Sequence, residues 1–270
     1  MKRLVNLYPS ETLRWILGFA PFIALLVLYI VASEARLEIN PSDKLLPSFT
    51  TMKDAMVRMA FEPSKRTGEY LFWGDTFSSL KRLSTGVLIA AFLGLIIGIL
   101  TGALPLVSAL FSPLLTIVSL IPCLALLPIL FIVLGLGELS KVSLIVIGIT
   151  PFIARDLQRR AREIPVEQVI KAQTLGANSA QIIFRVLLPQ LMPKLINAVR
   201  LSLGTGWLFL IAAEAIASTD GLGYRIFLVR RYLSMDVILP YVLWITLLAF
   251  LFDWCLRRLS RRLYPWELAE

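Results

Sequence analysis

The sequence offers few side chains of the kind that perform covalent chemistry. None of its 270 residues is a histidine, which excludes histidine-dependent catalytic triads and most zinc sites. The two cysteines, Cys123 and Cys255, fall in apolar stretches and are best interpreted as small buried hydrophobic residues. The phosphate-binding pattern G-x-x-x-x-G-K-[ST] is absent, so no such loop holds ATP. We therefore expect no catalytic residue, no metal site and no cofactor bound by this chain.

The polar residue with the clearest functional potential is Glu214, which interrupts the apolar stretch 195–219. A carboxylate inside such a stretch is costly in a membrane and normally faces the helix bundle or water. Glu214 could therefore line a solute pathway, or it could pair with a base such as Arg225. The turn that follows contains Gly221 and Gly223, which are free to adopt positive φ. That turn could also be a plain connecting loop.

The longest polar segment in the second half, residues 155–193, has the pattern of a helix–turn–helix. Pro165 suits the first turn of a helix, because its missing N–H would have no partner there. Gly176 can take the left-handed conformation that ends a helix. Asn178 or Ser179 can cap the next helix. We expect two prolines to end that second helix, Pro189 and Pro193.

Composition indicates that these residues belong to a membrane protein. Hydrophobic residues make up 57% of the chain and the mean hydropathy is +0.78, which is typical of a polytopic membrane protein. The net charge of +9 comes from bases that cluster beside apolar stretches. Positive-inside topology and lipid headgroups explain such clusters better than nucleic acid does. We therefore expect membrane lipids as partners and no nucleic acid.

The apolar stretches predict an all-α polytopic membrane protein with about six transmembrane helices. Residues 83–137 contain no charge and would extend for about 80 Å as one helix, so we place a turn at 101–105. The expected spans are 15–32, 83 to that turn, about 107–134, roughly 139–154, 195–219 and 237–252. Arginines directly after the last span anchor it on the cytoplasmic side. An even number of spans then places both termini in the cytoplasm.

Two features of residues 83–137 predict how these helices pack. Gly94, Gly98 and Gly102 recur at four-residue spacing, which gives a small-residue face for close helix packing. The next span contains three prolines, and these predict kinks or a break beside protein or a cavity. We therefore expect a solute pathway near three residues, Ser119, Pro122 and Cys123. The alternative is that the prolines only shape the packing.

The 155–193 segment resembles the cytoplasmic EAA loop of ABC importer permeases, whose short coupling helix docks on the partner ATPase. The resemblance rests on a Pro-x-Glu start, an Ala-x3-Gly core and a Leu-Pro end. The loop's leading Glu-Ala-Ala is replaced by Lys-Ala-Gln at 171–173, so the acidic residue is lost. The implied ATPase-coupling residues are Pro165, Glu167, Lys171, Ala172, Gln173, Gly176, Ala177, Leu188 and Pro189. Without the resemblance, an amphipathic hairpin on a membrane surface would explain the pattern.

The region around Glu214 carries a second resemblance. The block from Glu214 to Gly-Leu-Gly-Tyr at 221–224 is similar to the nitrate/sulfonate/taurine/bicarbonate branch of these permeases, in which it closes the outer end of the pathway. The implied outer gate residues are Gly221, Gly223 and Tyr224. Leu-Pro-Ser at 46–48 and the amphipathic stretch 51–60 resemble an external segment of the same family. The bases within 33–82 count against an outside location.

The resemblance covers nearly the whole chain and implies the MetI-like ABC permease fold. The expected parts are residues 1–82 with an anchor helix at about 15–32, a permease core at 83–258 and a cytoplasmic tail at 259–270. The implied protein is a bacterial inner-membrane permease that imports a small polar solute. Its implied partners are a second copy of the chain, two ABC ATPase subunits that bind ATP and Mg, and a periplasmic or lipid-anchored substrate-binding protein.

Two other classes of protein compete with this interpretation. A secondary transporter or channel that runs on an ion gradient would show paired intramembrane ionisable residues and internal repeats. Glu214 stands nearly alone, and no repeat is evident. An intramembrane enzyme would need a catalytic dyad or metal ligands, for which the lack of histidine leaves few candidates.

Overall fold

The computed structural model describes residues 9–41, 43–64 and 68–268, and these form helices and connecting turns without a β-strand. The outermost residues of the predicted 1–82 region and 259–270 tail lie outside the described residues. The described α-helices are α1 (Glu11–Ile39), α2 (Phe49–Phe61), α3 (Leu71–Ala103), α4 (Pro105–Leu120), α5 (Leu127–Leu134), α6 (Glu138–Glu163), α7 (Val166–Thr174), α8 (Ser179–Ile182), α9 (Leu188–Ala217), α10 (Leu222–Arg230) and α11 (Met235–Leu263).

Four described helices are long and apolar enough to cross a membrane, namely α1, α3, α11 and the continuous helix Ser179–Ala217. The α4–α5 pair, which is bent by 83°, is a fifth candidate. The predicted 139–154 span lies in α6, where charged residues near both ends leave only 142–154 uncharged. Ile149 and Leu157 on α6 are fully buried. The protein therefore shields α6 inside the bundle, and α6 has less need of an apolar surface of its own.

The centre of the bundle is the contact between α3 and α6, which run in the same direction. A Cβ at Gly98 would lie 2.6 Å from the Cβ of Leu157, and a Cβ at Gly102 would lie 2.5 Å from the Cβ of Ala161. Gly94 makes the same close approach two turns before Gly102. These positions accept no side chain unless the helices move apart. The predicted small-residue face is therefore confirmed, and α9 packs against α6 as well.

The helices α1 and α2 lie at the edge of the bundle. The anchor helix predicted at 15–32 is the central part of α1, whose side chains are mostly exposed, as expected for a helix that faces lipid. The hydroxyl of Tyr29 donates a hydrogen bond of 2.7 Å to the carbonyl of Pro47 and ties α1 to the next loop. Ser48 then caps α2, the amphipathic helix predicted at 51–60.

One predicted helix end is wrong, because Pro189 and Pro193 do not stop the helix that begins at α8. The chain continues through a π-helical turn at Ile183–Leu187 into α9, with Pro189 in the first turn and Pro193 in the interior. The side-chain amide of Gln190 donates to the carbonyl of Val186 at 2.8 Å. The chain therefore runs as one continuous helix from Ser179 to Ala217, with the π-helical turn directly before α9.

Candidate functional site

The polar segment after α6 forms a hairpin of two short helices, α7 and α8, which we call the α7–α8 hairpin. Gly176 has a φ of +84° and ends α7, and the N–H of Ala177 donates to the carbonyl of Ala172 at 3.0 Å. Asn178 caps α8, because its Oδ1 accepts the N–H of Gln181 at 2.8 Å and Gln181 Oε1 accepts the N–H of Asn178 at 2.9 Å. The predicted turn at Gly176 and cap at Asn178 are confirmed.

The α7–α8 hairpin presents an apolar surface away from the bundle. Val166, Ile170 and Leu175 expose 60%, 51% and 81% of their surface, and no described residue of α7 is buried. Of the residues expected to couple to an ATPase, those that are exposed are Pro165, Glu167, Lys171, Gln173, Gly176 and Pro189. The others, which pack against the core, are Ala172, Ala177 and Leu188. Apolar side chains grouped on a projecting helix mark a contact surface.

A buried ionic cluster around Arg82 and Glu214 lies at the opposite end of α6. Glu214 is 0% exposed, and its Oε1 accepts hydrogen bonds of 2.8 Å from Arg82 Nη1 and from the hydroxyl of Ser79. Its Oε2 accepts the N–H of Gly223 at 2.9 Å. Glu214 therefore pairs with Arg82 and not with Arg225, the base considered from the sequence.

Arg82 joins segments that are distant in sequence. Its Nε donates to Glu138 at 2.6 Å and its Nη2 donates to Asp220 at 2.6 Å. Lys141 also donates to Glu138, at 2.9 Å. Because a buried charge is stable only when it is paired, these carboxylates let Arg82 remain 4% exposed. Arg82 on α3 thereby holds α6, α9 and the loop after α9 together.

The loop between α9 and α10 fits closely around this cluster. Gly221 has a φ of +112°, and a Cβ there would lie 2.5 Å from the carboxylate carbon of Glu214. A Cβ at Gly223 would lie 2.8 Å from the carbonyl oxygen of Ile211. Both glycines are therefore required here by conformation or space.

The same loop carries the carboxyl group of Asp220. Burial alone would raise the pKa of the Asp220 carboxyl, but hydrogen bonds from Ser78 and Arg82 outweigh it, so that pKa lies below its usual value.

A second ion pair anchors the same loop from α3. Asp75, 2% exposed, accepts Arg225 Nε at 2.7 Å and the N–H of Gly221 at 3.0 Å. Beside this pair opens a cleft of about 1030 Å³. The aromatic residues that line it are Tyr70, Trp73, Phe77 and Tyr224. The predicted gate residues thus lie where this loop meets α10, with Gly221 directly before the helix and Gly223 and Tyr224 in its first turn. Their role as a gate stays a prediction.

The predicted helix break is confirmed between α4 and α5. Helix α4 ends at Leu120, Pro122 is extended, and a 3-10 turn that begins at Cys123 leads into α5 at an angle of 83°. Cys123 is buried, whereas Ser119 is half-buried and accepts a hydrogen bond of 2.5 Å from Arg155 Nη1 on α6. Ser119, Pro122 and Cys123 are therefore neighbours at one break.

Glu214 does not join the other candidate pathway residues. It lies in the cluster with Glu138, at the start of α6, whereas Ser119 contacts Arg155 further along the same helix. The residue numbers 138 and 155 differ by 17, which corresponds to about 25 Å of helix. Sequence interpretation does not single out Arg82 or Arg155. The sequence feature that could have pointed to Arg82 is that it directly precedes the uncharged stretch 83–137.

Residues 84–264 match the family described as the binding-protein-dependent transport system inner membrane component. This chain belongs to that family. The permease is similar to the taurine transport system permease TauC of Escherichia coli (strain K12), with 36% identity over 195 residues, or 72% of this chain and 71% of that protein. It is also similar to the bicarbonate transport system permease CmpB of Synechocystis sp., with 25% identity over 251 residues, or 93% of this chain and 87% of that protein.

The fold is similar to that of a chain of the MetNI methionine ABC transporter, which was solved in inward-facing conformations. The TM-score is 0.64 at 23% identity, and the match covers 74% of this permease and 98% of that chain. The predicted all-α, MetI-like fold is therefore confirmed. As a family member, the chain is a permease subunit of an ABC importer and not an enzyme. Family membership also implies an inner-membrane location, an ATPase and a binding protein.

Proposed function

We propose that this permease imports a small polar solute of the nitrate, sulfonate, taurine or bicarbonate type, powered by an ATPase that docks on the α7–α8 hairpin. The observation that carries the proposal is the exposed apolar surface of the α7–α8 hairpin, formed by Val166, Ile170 and Leu175 at one end of the bundle. The names of the taurine and bicarbonate permeases support the solute class. The permease itself binds no cofactor.

The proposed assembly contains two copies of the permease, which complete the pore together. Two ATPase subunits, each engaging one α7–α8 hairpin, bind ATP and Mg. A periplasmic or lipid-anchored binding protein delivers solute to the Glu214 end. We place the hairpin and both termini in the cytoplasm of a bacterial cell, since α11 ends in a cluster of bases that favours that side. These bases are Arg257, Arg258, Arg261 and Arg262.

The mechanism we propose is alternating access. ATP closes the ATPase dimer and draws the two hairpins together. Helix α6 leads into the hairpin and the continuous helix from Ser179 leads out of it, so the displacement reaches both helices. The close glycine contacts make α3 follow α6. ATP hydrolysis reverses the movement, so the free energy of ATP binding and hydrolysis stabilises the two conformations of the permease in turn.

We propose that the pathway runs past the α4–α5 break, at Ser119, Pro122 and Cys123. A helix bent by 83° exposes backbone that is tolerated in a membrane only when it is buried or lines a cavity. The Arg82–Glu214 cluster fixes the far ends of α3, α6 and α9 to one another, so α4 and α5 can move relative to a stable frame. We assign Glu214 to that frame and to the support of an outer gate formed by three residues, Gly221, Gly223 and Tyr224.

Co-purification of an ATPase tests the docking step. The tagged permease is extracted from membranes in mild detergent, and its partners are identified by mass spectrometry for the wild type, Gly176→Arg and Gly135→Arg. Both glycines have positive φ and open space around them, so the two variants carry a similar backbone penalty. We expect the ATPase with the wild type and Gly135→Arg, and its loss with Gly176→Arg.

Two results would contradict the proposal. If Gly176→Arg retains the ATPase and transports normally, the hairpin is not the docking element. If no ATPase accompanies the wild type and the purified permease alone moves solute along an ion gradient, the protein works as a secondary carrier or channel.

A further inference from the structure

A row of hydrogen bonds between polar side chains, which we call the polar seam, joins α6 to α4 on the N-terminal side of the α4–α5 break. Arg155 donates to Ser119 at 2.5 Å, and the side-chain amide of Gln158 donates to Ser112 at 2.6 Å. A third pair of the seam, also a guanidinium with a hydroxyl, is Arg162 with Ser108. The seam therefore ends at Ser119, the last polar residue before the break.

The arginines of this seam differ from the other arginines of α6. Arg159 pairs with Asp156 at 2.7 Å, and Arg160 lies 3.7 Å from both Asp156 and Glu163. Arg155 is exposed, and it forms no ion pair with any residue that the structure describes. Arg159 and Arg160 of α6 thus have carboxylate partners, whereas Arg155, beside the break, has no counter-ion among the described residues.

The chemistry of Arg155 favours an oxyanion. A guanidinium has five N–H donors and no acceptor, and Ser119 takes a hydrogen bond from only one of its nitrogens. The remaining donors form a planar fork that matches two oxygens of a sulfonate, nitrate, carboxylate or bicarbonate. Arg155 directly follows the uncharged part of α6, 142–154, so a solute that passes the break would meet these remaining donors at that end of the span.

We infer that Arg155, with Ser119 as its support, recognises the oxyanion of the solute as it passes the α4–α5 break and thereby sets the charge preference of the pathway. The inference rests on the proposed function, which places the pathway at this break. It adds a specificity-determining residue within the membrane subunit, separate from any selection made by the binding protein. Taurine and bicarbonate, named for two relatives, both carry an oxyanion of this kind.

The test uses the complete complex with its ATPase and binding protein in proteoliposomes. Radiolabelled taurine and bicarbonate are the probes, and the variants are Arg155→Gln, Arg155→Lys and Arg159→Gln. We expect Arg155→Gln to lower ATP-dependent uptake about tenfold, as the loss of one charge-assisted contact implies. Arg155→Lys should recover part of the uptake, because it restores the charge without the fork. Arg159→Gln removes a base that already has a carboxylate partner, so uptake should not change.

Several results would overturn the inference. Unchanged oxyanion uptake in Arg155→Gln, with a wild type that transports, would show that Arg155 does not select the solute and would leave the proposed importer intact. Loss of ATPase association in Arg155→Gln would show a structural role. Wild-type uptake of only neutral or cationic solutes would contradict an oxyanion site. The proposed function has separate tests, and it fails if the wild type neither binds an ATPase nor shows ATP-dependent uptake.

A phospholipid phosphate has the same chemistry and is a second source of an oxyanion. We therefore compare phosphatidylcholine vesicles with and without phosphatidylglycerol. The inference predicts that the difference between wild type and Arg155→Gln is the same in both. If the difference appears only when phosphatidylglycerol is present, Arg155 holds a lipid headgroup and the inference is wrong.

Discussion

Arg82 and Glu214 form a buried salt bridge of 2.8 Å although they are 132 residues apart in the sequence. The pair connects α3 to α9, and Arg82 also reaches Glu138 on α6 and Asp220 in the loop after α9. Helices α3 and α9 are therefore joined by a charge pair as well as by apolar packing, in which Leu83 approaches Gly206. A buried pair of this kind fixes the relative position of the two helices, because removal of one partner leaves the other charge buried and unpaired.

The order of stability loss within the cluster follows from the number of partners. Arg82→Gln leaves a fully buried Glu214 without its cation and should cost about 3–5 kcal/mol. Glu214→Gln should cost less, because Arg82 keeps two carboxylates, Glu138 and Asp220. Thermal unfolding of the purified permease in detergent, followed by circular dichroism, measures both. If Glu214→Gln proves the more damaging of the two, Arg82 is not the centre of the cluster.

Packing of α3 on α6 predicts opposite effects for two glycines of the same helix. Gly98→Ala places a Cβ 2.6 Å from the Cβ of Leu157 and 3.0 Å from the carbonyl oxygen of Ala154, so it should destabilise by about 1–3 kcal/mol. Gly74→Ala meets nothing within 4 Å and should stabilise α3 by about 0.5–1 kcal/mol. The same unfolding assay compares them. Equal effects would mean that helix propensity, and not close packing, explains the small-residue face.

Cys123 offers a native reporter of movement at the break. It is buried as predicted, whereas Cys255 on α11 is exposed, so the prediction of a buried residue was wrong for Cys255. In a Cys255→Ser background, we expect a water-soluble thiol reagent to label Cys123 slowly in the resting complex. When ATP is trapped on the ATPase, the exposure of Cys123 at the break should change. We therefore expect its labelling rate to rise several-fold or to fall to zero. Identical labelling rates in both states would argue against a pathway at Pro122.

Local features of this permease could be predicted because they depend on neighbours in sequence. The turn at Gly176, the cap at Asn178 and the break at Pro122 each follow from the backbone of a few residues. The stops predicted at Pro189 and Pro193 failed for an informative reason. A π-helical turn carries the chain from α8 into α9, and the helix continues past both prolines. A rule that considers proline alone does not predict this.

The sequence by itself determined the class of protein, most of the helical spans and the hairpin, because long apolar stretches, helix-ending residues and short motifs act locally. Only the tertiary structure decided which charges meet. Glu214 could have paired with Arg225 on grounds of proximity, yet Arg82 takes it and Asp75 takes Arg225. Likewise, Arg155 lies beside Ser119 and has no counter-ion among the residues that the structure describes, although Arg159 on the same helix has one. The physical reason is that ion pairing depends on which helix faces pack together, and that arrangement is settled by the whole bundle.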